Sequence, residues 1–215
     1  MREKKEFIDF MAAAGVLTFG DFTAKSGRKT PYFVNTGNYK TGAHISVLGD
    51  WYADAVVESG EPFDALFGPA YKGITLVAAT AASLYRNHAM DVPFFFNRKE
   101  AKDHGEGGAL IGYKPKDGDR IAIIEDVVTA GTAVRESLEL LKNIADVTVT
   151  SLFVSVDRME RGTGEQSALQ ELSDVHGINT YSIITARDII ASLPKGDERI
   201  GKMEAYLAQY GALHR

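Results

Sequence analysis

The chain lacks cysteine, long apolar runs and an excess of positive charge. Without cysteine it has no disulfide framework, no thiolate nucleophile and no cysteine-based zinc site, which fits a reducing cytoplasm. No uncharged apolar run is long enough to cross a membrane, so we do not expect a membrane protein. The net charge of -5 gives no overall attraction to nucleic acid, so any polyanion must be met by a local cluster of cations.

The first residues of the chain also lack the features of an export signal. Residues 1–17 begin with basic side chains, but Glu3, Glu6 and Asp9 interrupt what would have to be an apolar core. Apolar residues recur there with a helical period, which predicts an amphipathic helix over residues 3–14. We therefore expect a cytoplasmic protein.

What the chain does have is the composition of a globular protein. Hydrophobic residues make up 45% and charged residues 25% of its 215 residues, and no repeat or linker divides it, which predicts a single domain over residues 1–215. Short β-branched runs alternate with helical patterns, which predicts an α/β fold with a mostly parallel sheet. Residues 64–85 are predicted to form a short strand followed by a helix. Further strands are predicted at 92–97, 121–124, 147–156 and 178–185. Further helices are predicted at 43–59, 133–143, 165–176, 187–193 and 197–210.

The stretch RIAIIEDVVTAGTA, residues 120–133, carries the clearest chemical signal. Its apolar run predicts a buried strand, which Glu125 and Asp126 follow, and Thr129 to Thr132 lead into a helix. Free backbone N–H groups and the positive end of the helix suit a phosphate ester, whereas the carboxylates suit the vicinal hydroxyls of a ribose. Together they predict a site for a ribose 5-phosphate. The alternative is an ordinary threonine-capped helix after two solvated acids.

Two short loops place a cation at the carboxyl end of a predicted strand. Residues 68–73 read GPAYKG, a glycine-rich turn that lets backbone approach a pyrophosphate beside Lys72. A plain turn with an exposed lysine is the alternative there. Arg158 follows the strand at 147–156 and is suited to meet a carboxylate through two parallel hydrogen bonds. Its alternative is a salt bridge to Asp157 or Glu160.

A third loop combines cations with glycines. Residues 98–108 contain Arg98, Lys99, Lys102 and His104, followed by three glycines. Such a segment is suited to close over a reaction centre and exclude water, as active-site lids do. Interspersed acids make the loop nearly neutral, so an ordinary solvated loop is the alternative.

Residues 17–42, which we call the hood, are rich in glycine, threonine and aromatic residues. The pattern predicts a β-hairpin of strands 17–23 and 30–35 that turns at Ser26-Gly27 and covers an active site. Lys25 and the other basic residues near the turn have an alternative role, because charges at a hairpin tip often only make it soluble.

These motifs together resemble a known family. IIEDVVTAGT resembles the phosphoribosyl pyrophosphate (PRPP) loop of type I phosphoribosyltransferases. FTAKSGRKTPYFVNTG and FNRKEAKDHGEGG resemble the hood and the catalytic loop of orotate phosphoribosyltransferases, and GPAYKG and Asp157-Arg158 match two further motifs in the same order. The resemblance covers essentially the whole chain. It implies the type I phosphoribosyltransferase fold, a central mostly parallel sheet flanked by helices with a small β-hairpin hood.

The resemblance also implies a reaction. A pentosyltransferase of this family transfers ribose 5-phosphate from PRPP to N1 of orotate, giving orotidine 5′-monophosphate and pyrophosphate in de novo pyrimidine synthesis. No protein nucleophile is required. Mg²⁺ is the expected cofactor, held mainly by PRPP rather than by protein ligands. The family further implies a homodimer in which the loop with Lys102 reaches the neighbouring site.

Roles for individual residues follow from the same resemblance. PRPP binding is implied for Tyr71, Lys72, Arg98, Lys99, Lys102, His104, Glu125, Asp126, Val127, Val128, Thr129, Ala130, Gly131, Thr132 and Ala133. Orotate binding is implied for Lys25, Phe33, Val34, Thr129 and Arg158. Catalysis is implied for Lys102, Asp126 and His104, and Lys102 is expected to stabilise the transition state and deliver a proton. Glu125 stands where many relatives have aspartate, and Val34 where the family often has an aromatic residue.

Two rival functions share part of this pattern. A purine or uracil phosphoribosyltransferase would use the same PRPP loop, but its base has no carboxylate for the hood and Arg158 to meet. A regulator that binds PRPP without catalysis should lack an intact catalytic loop and carry a DNA-binding segment. This chain has the catalytic loop motif and no basic winged segment.

Overall fold

The computed structural model describes residues 2–24, 27–99, 109–128, 131–162 and 164–213. The strands are β1 (Leu17–Thr23), β2 (Lys29–Val34), β3 (Ala65–Gly68), β4 (Phe94–Asn97), β5 (Leu110–Gly112), β6 (Arg120–Ile124), β7 (Thr148–Asp157) and β8 (Asn179–Thr185). The helices are α1 (Lys4–Ala13), α2 (Gly42–Ser59), α3 (Lys72–His88), α4 (Thr132–Lys142), α5 (Ala168–His176), α6 (Ala186–Ser192) and α7 (Glu198–Tyr210). In this part of the chain, no helix has the length and apolar character that crossing a membrane requires.

The strands form one large sheet and one hairpin. The large sheet has the order β5-β4-β3-β6-β7-β8, in which only β5 runs antiparallel to its neighbour. β1 and β2 form the separate antiparallel hairpin. The predicted α/β fold, with a mostly parallel sheet flanked by helices and a small hairpin, is confirmed. β5 was not predicted, because three residues with no periodic pattern give no strand signal.

The apolar run of β6 lies at the centre of the core. Ile121, Ala122, Ile123 and Ile124 have no exposed surface. Ala122 and Ile124 pack in the hydrophobic cluster that includes α1, α2, α3, α6 and α7, whereas Ile121 and Ile123 pack in the cluster that includes α4 and α5. Because both faces of the sheet are covered, the strand is apolar at every position rather than at alternate ones.

β3 and β6 lie side by side, and the sheet grows from them in opposite directions. β4 extends it beyond β3, and β7 and β8 extend it beyond β6. α3 follows β3 and packs on one face, whereas α4 follows β6 and packs on the other. The crevice outside the carboxyl ends of these two strands is therefore a topological switch point, where open α/β sheets bind their ligands.

The hairpin is attached to the last described helix. Tyr32 of β2 is fully buried, and its ring centroid lies 6.3 Å from that of Tyr206 in α7. Arg28 Nη1 donates to the carbonyl oxygen of Arg161 at 2.8 Å, and Arg28 Cζ lies 5.3 Å from the ring centroid of Tyr210. These contacts fix the hairpin to the carboxyl-terminal part of the chain.

Candidate functional site

The two acids that follow β6 are fixed through their backbone. Tyr52 Oη donates to the carbonyl oxygen of Glu125 at 2.6 Å, and Ser155 Oγ donates to that of Asp126 at 2.7 Å. The N–H of Asp126 donates to Glu125 Oε1 at 2.9 Å, which turns the Glu125 carboxylate back towards the chain. Asp126 Oδ1 accepts from the N–H of Val127 at 2.6 Å. Oδ2 of Asp126 is therefore the oxygen that meets other side chains.

Asp126 Oδ2 lies in a compact cluster with Lys72 and Thr36. Lys72 Nζ is 2.7 Å from Oδ2, and Thr36 Oγ1 donates to Oδ2 at 2.6 Å. Lys72 Nζ also donates to Thr36 Oγ1 at 2.7 Å. The structure thus brings together the first residue of α3 and the second acid after β6, both of which were predicted from the family resemblance to bind PRPP. Thr36 begins a 3₁₀ turn, Thr36–Asn38, between β2 and α2. Its place beside Lys72 and Asp126 was not predicted from the sequence.

The turn after β3 depends on two glycines. A Cβ added to Gly68 would lie 2.2 Å from the carbonyl oxygen of Gly73, so only glycine allows β3 and α3 to approach so closely. Asn97 Oδ1 accepts from the N–H of Ala70 at 2.8 Å and ties this turn to the end of β4. Together these contacts position the start of α3, which carries Lys72.

Three predicted pyrophosphate ligands lie around these strand ends. Tyr71 is 67% exposed, and Lys99 Nζ lies 5.4 Å from its ring centroid. The N–H of Arg98 donates to the carbonyl oxygen of Ala109 at 2.8 Å, which continues the pairing of β4 with β5. β5, missed from the sequence, therefore brings together the two ends of the predicted catalytic loop.

The start of α4 presents backbone suited to an anion. Gly131 has φ 73° at the N-cap, a left-handed conformation that favours glycine. Thr132 and Ala133 are exposed in the first turn, where free N–H groups and the positive helix end attract a phosphate. Val127 packs against the hydrophobic cluster on one face of the sheet and Val128 against the cluster on the other, so the loop between β6 and α4 is anchored at its start.

Of the residues predicted for orotate, the three that the structure describes lie on β2 and after β7. Phe33 is 42% exposed, and its ring centroid lies 5.6 Å from that of Phe22 across the hairpin. Val34 is partly buried. Arg158 follows β7, the neighbour of β6, and its Nη2 lies 2.6 Å from Glu160 Oε1. The salt bridge to Glu160, the alternative that the sequence raised for Arg158, is therefore present.

Five predicted site residues lie outside the described residues. They are Lys25, Lys102, His104, Thr129 and Ala130. Their roles stay predictions that rest on the sequence. The described flanks of each segment belong to the hairpin, to β4 and β5, or to β6 and α4.

A cavity of about 160 Å³ opens beside the cluster of Asp126, Lys72 and Thr36. Its other lining residues are Gly37, Tyr39, Ile45, Leu48, Tyr52, Thr75, Leu76 and Ser155. A larger cleft of about 380 Å³ between α6 and α7 contains no residue predicted to act, so we favour the smaller cavity. Among the described residues, no group of three acidic or histidine side chains is arranged to hold a metal ion.

Burial raises the pKa of Glu125 from 4.5 to about 7, and the neighbouring Asp126 carboxylate adds to the shift. Between pH 4.5 and about pH 7, Glu125 loses its proton in the unfolded chain but keeps it in the folded chain, so the free energy of unfolding falls as pH rises. Glu125→Gln mimics the protonated form and removes this fall. We expect the variant to exceed the unmodified protein by about 1 to 3 kcal/mol around pH 8, with little difference around pH 4.

Denaturant unfolding across this pH range measures the effect. Glu136→Gln, at an exposed position of α4, is the control and should change the free energy of unfolding little. A constant difference between Glu125→Gln and the unmodified protein from acid to alkaline pH would contradict the raised pKa.

Comparison with known proteins identifies the family. Residues 37–174 match the phosphoribosyl transferase domain. An orotate phosphoribosyltransferase from Clostridium beijerinckii is 51% identical over 219 residues, covering 97% of this chain and 98% of the relative. One from Escherichia coli strain K12 is 47% identical over 211 residues, with the same coverage.

Comparison with solved structures supports the same family. The crystal structure of an orotate phosphoribosyltransferase from Francisella tularensis superposes with a TM-score of 0.88 at 36% identity, covering 96% of this chain and all of that one. An adenine phosphoribosyltransferase from Thermoanaerobacter pseudethanolicus, at 15% identity and a TM-score of 0.53, shares only the fold. By sequence and by architecture, the chain belongs to the orotate phosphoribosyltransferase family of type I phosphoribosyltransferases.

Proposed function

We propose that the chain transfers the 5-phosphoribosyl group of PRPP to N1 of orotate, giving orotidine 5′-monophosphate and pyrophosphate in pyrimidine biosynthesis. The observation that carries this proposal is the pairing of Lys72 with Asp126 at 2.7 Å in the crevice between β3 and β6. A cation for a leaving diphosphate and a carboxylate for a ribose thus share one cluster, in a chain of the orotate-using family.

The residues fit the charges that develop during the reaction. Breaking the bond between C1 and pyrophosphate leaves positive charge on the ribosyl ring and negative charge on the leaving group. Asp126, with Glu125, accepts hydrogen bonds from the ribose hydroxyls and supports the ring charge. The segment from Thr129 to Thr132 binds the 5-phosphate through its backbone and the start of α4.

The leaving pyrophosphate meets cations from two loops. Lys72 and Tyr71 approach it from the turn after β3, and the remaining ligands come from the segment after β4. Those ligands are Arg98, Lys99, Lys102 and His104. Lys102 stabilises the transition state and delivers a proton to the leaving pyrophosphate, which balances the proton that N1 of orotate loses as the new bond to C1 forms. Mg²⁺ is the expected cofactor; held mainly by PRPP, it would supply further charge neutralisation at the diphosphate.

Orotate binds between the hood and the residue after β7. Lys25, Phe33 and Val34 contact the pyrimidine from the hood, Thr129 approaches it from the loop after β6, and Arg158 pairs with its carboxylate. The Arg158 side chain is only 14% exposed and already paired with Glu160, so little of its freedom remains to be lost on binding.

Arg158→Ala is expected to raise the KM for orotate by about tenfold to a hundredfold, because charge-assisted bonds to the carboxylate are lost. The KM for PRPP should change little. Arg86→Ala is the matched control, since Arg86 also pairs with a carboxylate, at 2.9 Å from Asp50, but lies outside the crevice. Initial rates at varied orotate concentration measure the effect. An orotate KM equal to that of the control would remove Arg158 from the base site.

An assay with purified protein tests the reaction itself. Orotate, PRPP and Mg²⁺ are combined, and the loss of orotate absorbance is followed. Parallel reactions contain uracil, adenine or hypoxanthine in place of orotate. Transfer to orotate alone is the expected result. Transfer to another base would support the first rival function, and PRPP binding without transfer to any base would support a regulator.

We also propose that the enzyme is a cytoplasmic homodimer and that Lys102 acts in the site of the neighbouring subunit. Lys102→Ala and Asp126→Asn subunits are each expected to have almost no activity alone. After mixing and exchange, half of the dimers are mixed and one of their two sites is intact, so about a quarter of normal activity should return. Activity that stays at the level of the parent variants would show that both residues serve the same subunit.

A further inference from the structure

Thr36 has no role in the reaction as described so far, yet it contacts both groups that define the PRPP site. Its Oγ1 lies 2.6 Å from Asp126 Oδ2 and 2.7 Å from Lys72 Nζ. The turn that carries it is fixed on both sides. Asn35 Oδ1 accepts from the N–H of Gly37 at 3.2 Å, and Asn38 Nδ2 donates to the carbonyl oxygen of Gly15 at 2.7 Å.

The hydrogen bonds of Asp126 leave no place for another donor on Oδ2. Oδ1 is bound by the N–H of Val127, and Oδ2 accepts from both Lys72 and Thr36. A carboxylate oxygen has two lone-pair positions, so both positions on Oδ2 are filled. A ribose hydroxyl therefore binds Oδ2 only if one of the two donors leaves.

Lys72 is the donor that can stay. Its ammonium group has three N–H bonds and is able to keep Asp126 while donating to a pyrophosphate oxygen. Removing Lys72 would leave the Asp126 side chain, which is 14% exposed, without its counter-ion. Thr36 is neutral, and a ribose hydroxyl replaces its hydroxyl with the same chemical group. The exchange of one hydroxyl for another is the cheaper of the two.

We propose that Thr36 competes with a ribose hydroxyl of PRPP for Asp126 Oδ2 and thereby sets the affinity for PRPP. The inference rests on the proposed function, since it takes Asp126 as the ribose ligand. The predicted change in PRPP affinity is opposite to the change expected when a binding residue is removed. Removing the Thr36 hydroxyl strengthens PRPP binding, whereas removing a side chain that supports the bound sugar weakens it.

Thr36→Val, which keeps the shape of the side chain without the hydroxyl, tests the sign. In calorimetric titrations with PRPP and Mg²⁺ and without orotate, the variant should bind PRPP about fivefold to tenfold more tightly. Thr36→Ser keeps the hydroxyl and should stay within about twofold of the unmodified protein. Pyrophosphate with Mg²⁺ has no ribose hydroxyl, so its affinity should be the same in all three proteins. Thr36→Ala repeats the test if the valine variant does not fold.

PRPP affinity that is unchanged or weaker in Thr36→Val would overturn the inference, as would an equal gain for pyrophosphate. The two proposals fail in different ways. If the unmodified protein makes no orotidine 5′-monophosphate, the proposed function is wrong. If the unmodified protein is active and the valine variant binds PRPP no more tightly, only the role of Thr36 is wrong.

Discussion

Replacing Asp126 by asparagine is expected to lower kcat for ribosyl transfer by about a hundredfold to a thousandfold. The amide has nearly the shape of the carboxylate but no negative charge, so it cannot stabilise the positive charge on the ribosyl ring. It also leaves Lys72, whose Nζ lies 2.7 Å from Asp126 Oδ2, without its counter-ion. The loss should therefore appear in kcat as well as in the KM for PRPP.

Initial rates at saturating orotate and PRPP measure this effect. Asp9→Asn is the control, because Asp9 forms an exposed ion pair with Lys5 on α1, and exposed pairs contribute little. Denaturant unfolding of both variants shows whether the fold is kept. A kcat for Asp126→Asn within about threefold of the control would remove this carboxylate from catalysis.

Gly68→Ala is expected to lower the free energy of unfolding by about 2 to 5 kcal/mol and to weaken PRPP binding. The new methyl carbon would lie 2.2 Å from the carbonyl oxygen of Gly73 and 2.6 Å from Val77 Cγ1. Because one of these atoms is backbone, β3 and α3 must separate. That movement displaces Lys72 at the start of α3.

The control for this prediction is Gly201→Ala in α7. Apart from its chain neighbours and the backbone of its own helix, a Cβ at Gly201 would meet no atom within 4 Å. Alanine is the better helix former, so this variant should be more stable by about 0.5 to 1 kcal/mol. Urea unfolding of the two variants should therefore give shifts of opposite sign. Equal unfolding midpoints for Gly68→Ala and the unmodified protein would show that the turn accommodates the methyl group without loss of stability.

The parts of the fold that were predicted are those whose signal is local. The apolar run of β6 and the helical pattern of α4 predicted a strand and a helix joined by a loop, and the structure has them at Arg120–Ile124 and Thr132–Lys142. The two acids between them indicated the site, because carboxylates at the end of a buried strand are costly to desolvate and are typical of functional sites.

What was missed depends on contacts between distant segments. β5 is a strand only because it pairs with β4 across the predicted catalytic loop. Thr36 and Asp126 are 90 residues apart, and Tyr52 and Glu125 are 73 apart, so no short sequence pattern joins either pair. The ion pair of Arg158 with Glu160 is local and was foreseen as an alternative, but its geometry required the structure.

The packing of α7 on β2 affects the order in which the site is completed during synthesis. The ribosome makes the hairpin before α7, because Tyr206, which packs on Tyr32, and Tyr210, which contacts Arg28, follow β1 to β8 in the described part of the chain. A nascent chain thus exposes this apolar face of its hairpin until α7 has been made, and an exposed apolar face favours binding by chaperones. The hairpin face that we propose for orotate binding is accordingly expected to become ordered after the parallel sheet can already form.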